Sequence, residues 1–249
     1  MELEVLLEDG PLLAVNKPAG LLTQGVPHGQ PSLESHVKDY LRQKYAKPGN
    51  VYLGVPHRLD RPVSGIVVFA RNSKAAARLA EQFRERTVRK FYLAVTERVP
   101  EQPSGQLTDW LLKDAAAAHV TVVSPGTEGA REAILDYQVL YQLQGRALLQ
   151  IELHTGRMHQ IRVQLASRGW NILGDLQYGA VLSPAALQSY DRLVSPIALH
   201  ARRLSLSHPI RYDRIDLEAP LPLQWKQYDV VNDWLDKATV LPSTGPGMD

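Results

Sequence analysis

The chain has 249 residues, 28 basic and 26 acidic side chains and a formal net charge of +2. It is long enough to bury a substantial core and too nearly neutral for its total charge to mark a nucleic-acid binder. It has no cysteine, which excludes disulfides and thiolate metal sites and fits a reducing compartment. No apolar run approaches the roughly 20 residues that span a bilayer, and the acidic start Met1-Glu2-Leu3-Glu4 shows no secretory leader, so a cytoplasmic protein is expected.

Residues 5–8 and 12–16 flank the turn signal Asp9-Gly10-Pro11 and read as a hairpin. Ser32 can cap a helix running to Tyr45, with Leu33, Val37 and Leu41 spaced by four. Residues 51–55 and 66–70 are strand-like apolar runs. The segment between them, His57-Arg58-Leu59-Asp60-Arg61-Pro62-Val63-Ser64-Gly65, gathers an imidazole, a carboxylate and guanidiniums. Pro62 and Gly65 keep it from extending either neighbour. Such a loop reads as a site or as a solvated turn with a local Asp60–Arg58 or Asp60–Arg61 pair.

Ser73 can cap a second helix to about Glu85, and residues 90–96 read as a strand. From Arg71 to Lys90 seven basic residues face only Glu81 and Glu85, a stripe suited to phosphates or to a solvated helix face. Strands are expected at 106–112, 119–124, 132–142 and 146–153, then a helix over 158–167 that puts His159, Arg162 and Ala166 on neighbouring positions. Strands at 198–204 and 215–218 and a helix over 224–235 follow. Residues 241–249, rich in Pro, Ser and Gly, should form a flexible tail. Grouped strands with interspersed helices indicate α+β.

The Asp60 segment resembles the signature H-R-L-D-x-x-T-S-G of the RluA-type RNA pseudouridine synthases, with Val63 where Thr is usual. His154-Thr155-Gly156-Arg157-Met158-His159-Gln160-Ile161-Arg162-Val163-Gln164-Leu165 is similar to the family's T-G-R-x-H-Q-I-R-V-H-L block, with Gln164 for His. Val15-Asn16-Lys17-Pro18-Ala19-Gly20, Arg89-Lys90-Phe91-Tyr92-Leu93-Ala94, Gly174-Asp175 with Tyr178-Gly179, Leu199-His200-Ala201 and His208-Pro209 follow the family's order. The likeness covers about residues 3–220.

The resemblance implies a curved, mixed, largely antiparallel sheet with flanking helices and a central cleft. It implies one catalytic domain over 1–240, without an N-terminal S4-type domain. It makes Asp60 the carboxylate acting on the sugar, by a sugar adduct or a glycal route, with Arg162 pairing to it and orienting it through a planar fork. Tyr92 would stack on the base or move a proton; on residue type alone it reads as a core tyrosine. Arg58 would fill the space left by a flipped base or grip a phosphate, Leu59 would wall the pocket, and Lys17, Lys90 and Arg157 would contact phosphates. No metal or cofactor is implied: His57, His154, His159 and His200, with Asp60 and Asp175, match no standard ligand spacing. The expected partner is ribosomal or transfer RNA, bound by a monomer with no obligate protein partner and no membrane.

Overall fold

The computed structural model describes residues 2–25, 30–114, 118–183, 187–191 and 195–240, so the expected tail lies outside the described residues. One sheet carries β1 (Val5–Asp9), β2 (Leu12–Lys17), β3 (Ser64–Ala70), β4 (Arg89–Thr96), β5 (Ser104–Asp114), β6 (His119–Val123), β7 (Arg131–Leu143), β8 (Arg146–Leu153), β9 (Leu199–Ser207) and β10 (Arg214–Glu218). The spatial order is β1-β2-β3-β9-β4-β8-β7-β5-β6, with β10 beside β9. The strand pairs are antiparallel except β3 with β9. With helices α1 (Leu33–Lys44), α2 (Ser73–Arg84), α3 (Gln160–Ala166) and α4 (Asp229–Val240) this is the expected α+β fold.

Strand alternation explains why both faces are covered at β2 and β3. Leu13, Val15, Val67 and Phe69 share one core with Leu33, Val37 and Leu41 of α1. Leu12, Ala14, Ile66, Val68 and Ala70 share a second with Ala75 and Leu79 of α2. Each such fully buried Leu or Ile contributes about 1.5–3 kcal/mol. α1 begins with a reciprocal cap between Ser32 and Ser35. α2 is capped by Asn72, not the expected Ser73: its side-chain carbonyl accepts the Ala75 N–H at 2.8 Å, and Ser73 is the first helical residue.

Three other expectations change. Residues 51–55 form no strand and make a single bridge, Gly54 to Ala70. The Val68 N–H, which a neighbouring strand would take, goes to His57 Nε2 at 3.0 Å. The final helix is broken: a 3-10 turn, Leu223–Gln227, precedes α4, and Tyr228 between them is extended (φ −94°, ψ 110°). Gly65 is not in the loop but in β3, where it meets Ala201 of β9.

Its φ of +117° is open to glycine, and a Cβ there would sit 2.3 Å from the Ala201 carbonyl oxygen. Gly65→Ala is therefore expected to destabilise the fold by about 2–4 kcal/mol in urea unfolding. A loss below about 0.5 kcal/mol would mean that β3 and β9 separate at little cost.

Candidate active site

The Asp60 loop is anchored on both sides of the aspartate. Before it, Leu59 exchanges hydrogen bonds with the Thr23 hydroxyl: Thr23 Oγ1 donates to the Leu59 carbonyl at 3.0 Å and accepts its N–H at 3.2 Å. After it, the Arg61 carbonyl accepts from the Gly20 N–H at 2.8 Å and from Lys17 Nζ at 3.2 Å. Lys17 also donates to the carbonyls of Pro18 (2.9 Å) and Leu21 (2.7 Å). This corrects the expectation of a phosphate contact. Lys17 has no exposed surface, and three carbonyls take the three protons of its ammonium. Burial lowers its pKa, and the Asp60 carboxylate partly offsets that. The early Asn-Lys-Pro block is thus a cradle for the Asp60 loop.

Arg162 reaches the same point from α3, which starts at Gln160 because His159 adopts a left-handed conformation (φ 52°). The Gln160 amide closes the preceding turn: its oxygen accepts from Thr155 Oγ1 (2.8 Å) and Arg157 N–H (3.0 Å), and its nitrogen donates to the Ile134 carbonyl (3.1 Å). Gln164, where the family pattern has His, ties α3 to β5 and β7 by donating to Asp109 (2.8 Å) and to the Leu107 and Ala133 carbonyls. Val63, the other departure, is packed in the main core, an environment that suits the loss of a hydroxyl.

Asp60 and Arg162 do meet, but not through the expected fork. Arg162 Nε and Nη2 grip Asp175 at 2.7 and 2.8 Å, and Nη2 also donates to Gln177 Oε1 at 2.9 Å. Only Nη1 is left for Asp60, 3.4 Å from Oδ2. Arg162 and Asp175 are 4% and 2% exposed, so their two-pronged bond neutralises charges removed from water. Burial disfavours the guanidinium's charge, but Asp175, with Asp60, outweighs it and raises the pKa. Asp175, Gln177 and Tyr178 lie together on the turn at residues 174–179. Their signal was the Gly174-Asp175…Tyr178-Gly179 spacing, to which the sequence attached no role.

Tyr92 comes from β4, where the β4–β9 register shifts between Phe91 and Tyr92 and leaves Arg202 unpaired there. Bulges of this kind re-aim side chains beside sites. Burial, then the charge of Asp60, push the Tyr92 hydroxyl's pKa up. Asp60, Tyr92, Arg162, Arg58, Leu59, Lys90 and Arg157 all line one cleft of about 520 Å³. A second cavity of about 330 Å³ shares Arg58, Leu59, Asp60 and Arg162 with it. Arg58 is exposed, and Leu59, although 6% exposed, walls both spaces.

The basic stripe contributes only part of itself. Arg84, Arg86 and Lys90 reach the cleft, joined by Arg157, whose Nε is held by the Glu132 carbonyl at 2.9 Å. Arg71 instead pairs with Glu8, Arg78 donates to the Pro209 carbonyl, and Arg89 makes a two-pronged bond to Glu152. Burial, then Arg86, lower the Lys90 pKa to about 8. Three of the motif histidines have separate partners: His57 is stacked on Phe83, His154 bonds Asp136 at 2.6 Å, and His200 bonds Ser64 at 2.9 Å. Burial, then Lys90, lower the His57 pKa to about 3, which keeps its Nε2 free to accept the Val68 N–H.

Residues 11–167 match the family model described as RNA pseudouridylate synthase. The chain is 34% identical over 236 residues to tRNA pseudouridine synthase C of Haemophilus influenzae, covering 90% of this chain and 95% of that one. It is 31% identical over 229 residues to ribosomal large subunit pseudouridine synthase D of Zymomonas mobilis, covering 88% and 69%. Among solved structures, human RNA pseudouridylate synthase domain containing 4 superposes with a TM-score of 0.73 at 28% identity, covering 90% of each chain. With the cleft and its motif residues, these likenesses establish that the chain belongs to the RNA pseudouridylate synthase family and is an isomerase that converts uridine in RNA to pseudouridine.

Proposed function

We propose that this enzyme acts on uridines in transfer or ribosomal RNA, that Asp60 engages the sugar, and that the target uridine leaves its stack to reach it. One observation carries the reading: a carboxylate anchored on both sides lines a cleft with an aromatic hydroxyl and a clamped guanidinium. The two relatives, a tRNA pseudouridine synthase and a ribosomal large subunit pseudouridine synthase, support both RNA classes. The cysteine-free composition supports a cytoplasmic setting, and the reading takes the enzyme as a monomer without an obligate protein partner.

The reaction breaks the N1–C1′ bond, turns the base and joins C5 to C1′. The proton lost from C5 is balanced by one gained at N1, so mass and oxidation state are unchanged. A carboxylate suits this chemistry because it can attack C1′ or offset positive charge there. Tyr92 keeps its proton at neutral pH, so it offers the base a stacking face and a hydroxyl through which a proton can pass. Extruding the base requires on the order of a few kcal/mol, recovered by contacts within the cleft and along its rim. Arg58 is the exposed side chain that would fill the vacated space, with Leu59 as the wall beneath it.

The direct test is nucleoside analysis of transfer and ribosomal RNA treated with the purified protein, followed by transcriptome-wide mapping in cells with and without it. Pseudouridine should appear at discrete positions; its absence from both RNA classes would overturn the reading. Binding should weaken with salt, since phosphates bound by Lys90 and Arg157 release counterions. Lys90→Ala and Arg157→Ala should each weaken binding and flatten its salt dependence by up to about one charge, with the chemical step unaffected. Raising the pH through about 8 removes the Lys90 charge, so wild-type binding should fall more steeply there than that of Lys90→Ala. Unchanged affinity and salt slope in both variants would remove these residues from the RNA path.

A further inference from the structure

Asp60 has a second neighbour beside Arg162. His159 Nε2 lies 3.8 Å from Asp60 Oδ2, the same oxygen that Arg162 Nη1 approaches. On its other side, His159 Nδ1 lies 2.8 Å from the Tyr178 hydroxyl. That hydroxyl oxygen accepts the Val120 N–H at 3.1 Å, and Tyr178 is buried. A buried phenol proton needs an acceptor, and His159 Nδ1 provides it. The imidazole must then carry its own proton on Nε2, towards Asp60.

The protonation states agree with this chain of donors. Burial lowers the His159 pKa, which keeps the ring neutral, and burial pushes the Tyr178 hydroxyl up to about 12, which keeps its proton in place. Tyr178 serves both partners of Asp60. Its hydroxyl holds His159, and its ring lies under the Arg162 guanidinium, 4.9 Å from the centroid.

Resting on the proposed role of Asp60, we propose that His159, locked in its Nε2–H tautomer by Tyr178, is a positioning residue that joins Arg162 in holding Asp60 Oδ2 and leaves Oδ1 for the sugar. The contacts of Asp60 with Arg162 and His159 both fall on Oδ2: the Nη1 cation at 3.4 Å, and the neutral imidazole's Nε2 at 3.8 Å, a dipolar contact longer than a hydrogen bond.

The backbone of His159 makes this role separable from a structural one. At a φ of 52°, asparagine is tolerated better than glutamine, so a purely structural histidine is replaced best by Asn. The Asn amide oxygen can take the acceptor place of Nδ1 but presents no donor at Nε2, whereas the Gln amide nitrogen reaches the donor place of Nε2. If His159 holds Asp60, His159→Gln should therefore retain turnover within about fivefold, while His159→Asn and His159→Ala lose about tenfold or more in kcat with KM little changed.

A long-range ¹⁵N–¹H correlation spectrum of the full chain should show the Nε2–H tautomer, lost or mixed in Tyr178→Phe. An Nδ1–H tautomer in the wild type would overturn the proposal, whether or not the variants fold. So would His159→Asn turning over as fast as His159→Gln. A wild-type protein making no pseudouridine in either RNA class would instead overturn the role given to the site, and the spectrum would still decide the tautomer.

Discussion

Asp60→Asn is expected to form no detectable pseudouridine while binding RNA within about threefold of the wild type. The substitution preserves shape and removes charge and nucleophilicity. A rate loss of at least about 10³-fold is expected, equivalent to about 4 kcal/mol of transition-state stabilisation. The fold should tolerate the change. Arg162 keeps its two-pronged partner Asp175, and the loop keeps its anchors at Leu59 and Arg61, which involve backbone groups rather than the Asp60 carboxylate. Thermal unfolding should accordingly shift by only a few degrees. Single-turnover nucleoside analysis on transfer and ribosomal RNA reads the outcome. Substantial turnover by a folded Asp60→Asn protein would remove the aspartate from the chemical step.

The fold was legible where side-chain period and backbone agree. The hairpin of β1 and β2, the capped helix α1 and the four strands from β5 to β8 lie within a few residues of their expected positions, because alternation and turn residues act locally. What the period could not convey was competition for partners across the sheet. The apolar run at 51–55 stops at the Gly54–Ala70 bridge and does not extend into a strand, because an imidazole from the next loop takes the Val68 N–H.

The candidate site divides in the same way. The motif blocks supplied Asp60, Tyr92 and Arg162, and all three line one cleft. The role of Lys17 was misread because a lysine beside a catalytic motif is ordinarily solvated, and its burial depends on carbonyls 1, 4 and 44 residues away. The partners of Arg162 were missed for a related reason. Asp175 and Gln177 follow it by 13 and 15 residues, and only the turn at 174–179 folds them back over α3.

That turn determines what Arg162→Lys should do. The planar guanidinium makes contacts in three directions, to Asp175, Gln177 and Asp60. A lysine ammonium is a point charge that cannot span them. Placed against Asp175 it leaves Asp60 Oδ2 without its cation; placed against Asp60 it leaves Asp175 buried and unpaired. The second arrangement would cost about 3–5 kcal/mol, so the first should prevail. Arg162→Lys should therefore lose about 10²-fold or more in kcat, some 2.7 kcal/mol, with RNA affinity retained within a few fold. Stability should fall less than in Arg162→Ala, which strands Asp175 altogether. The decisive comparison is kcat against unfolding free energy for the two variants. If Arg162→Lys turned over at nearly the wild-type rate, the arginine would be a clip fastening α3 to the turn at 174–179, and the orientation of Asp60 would rest on the loop anchors alone.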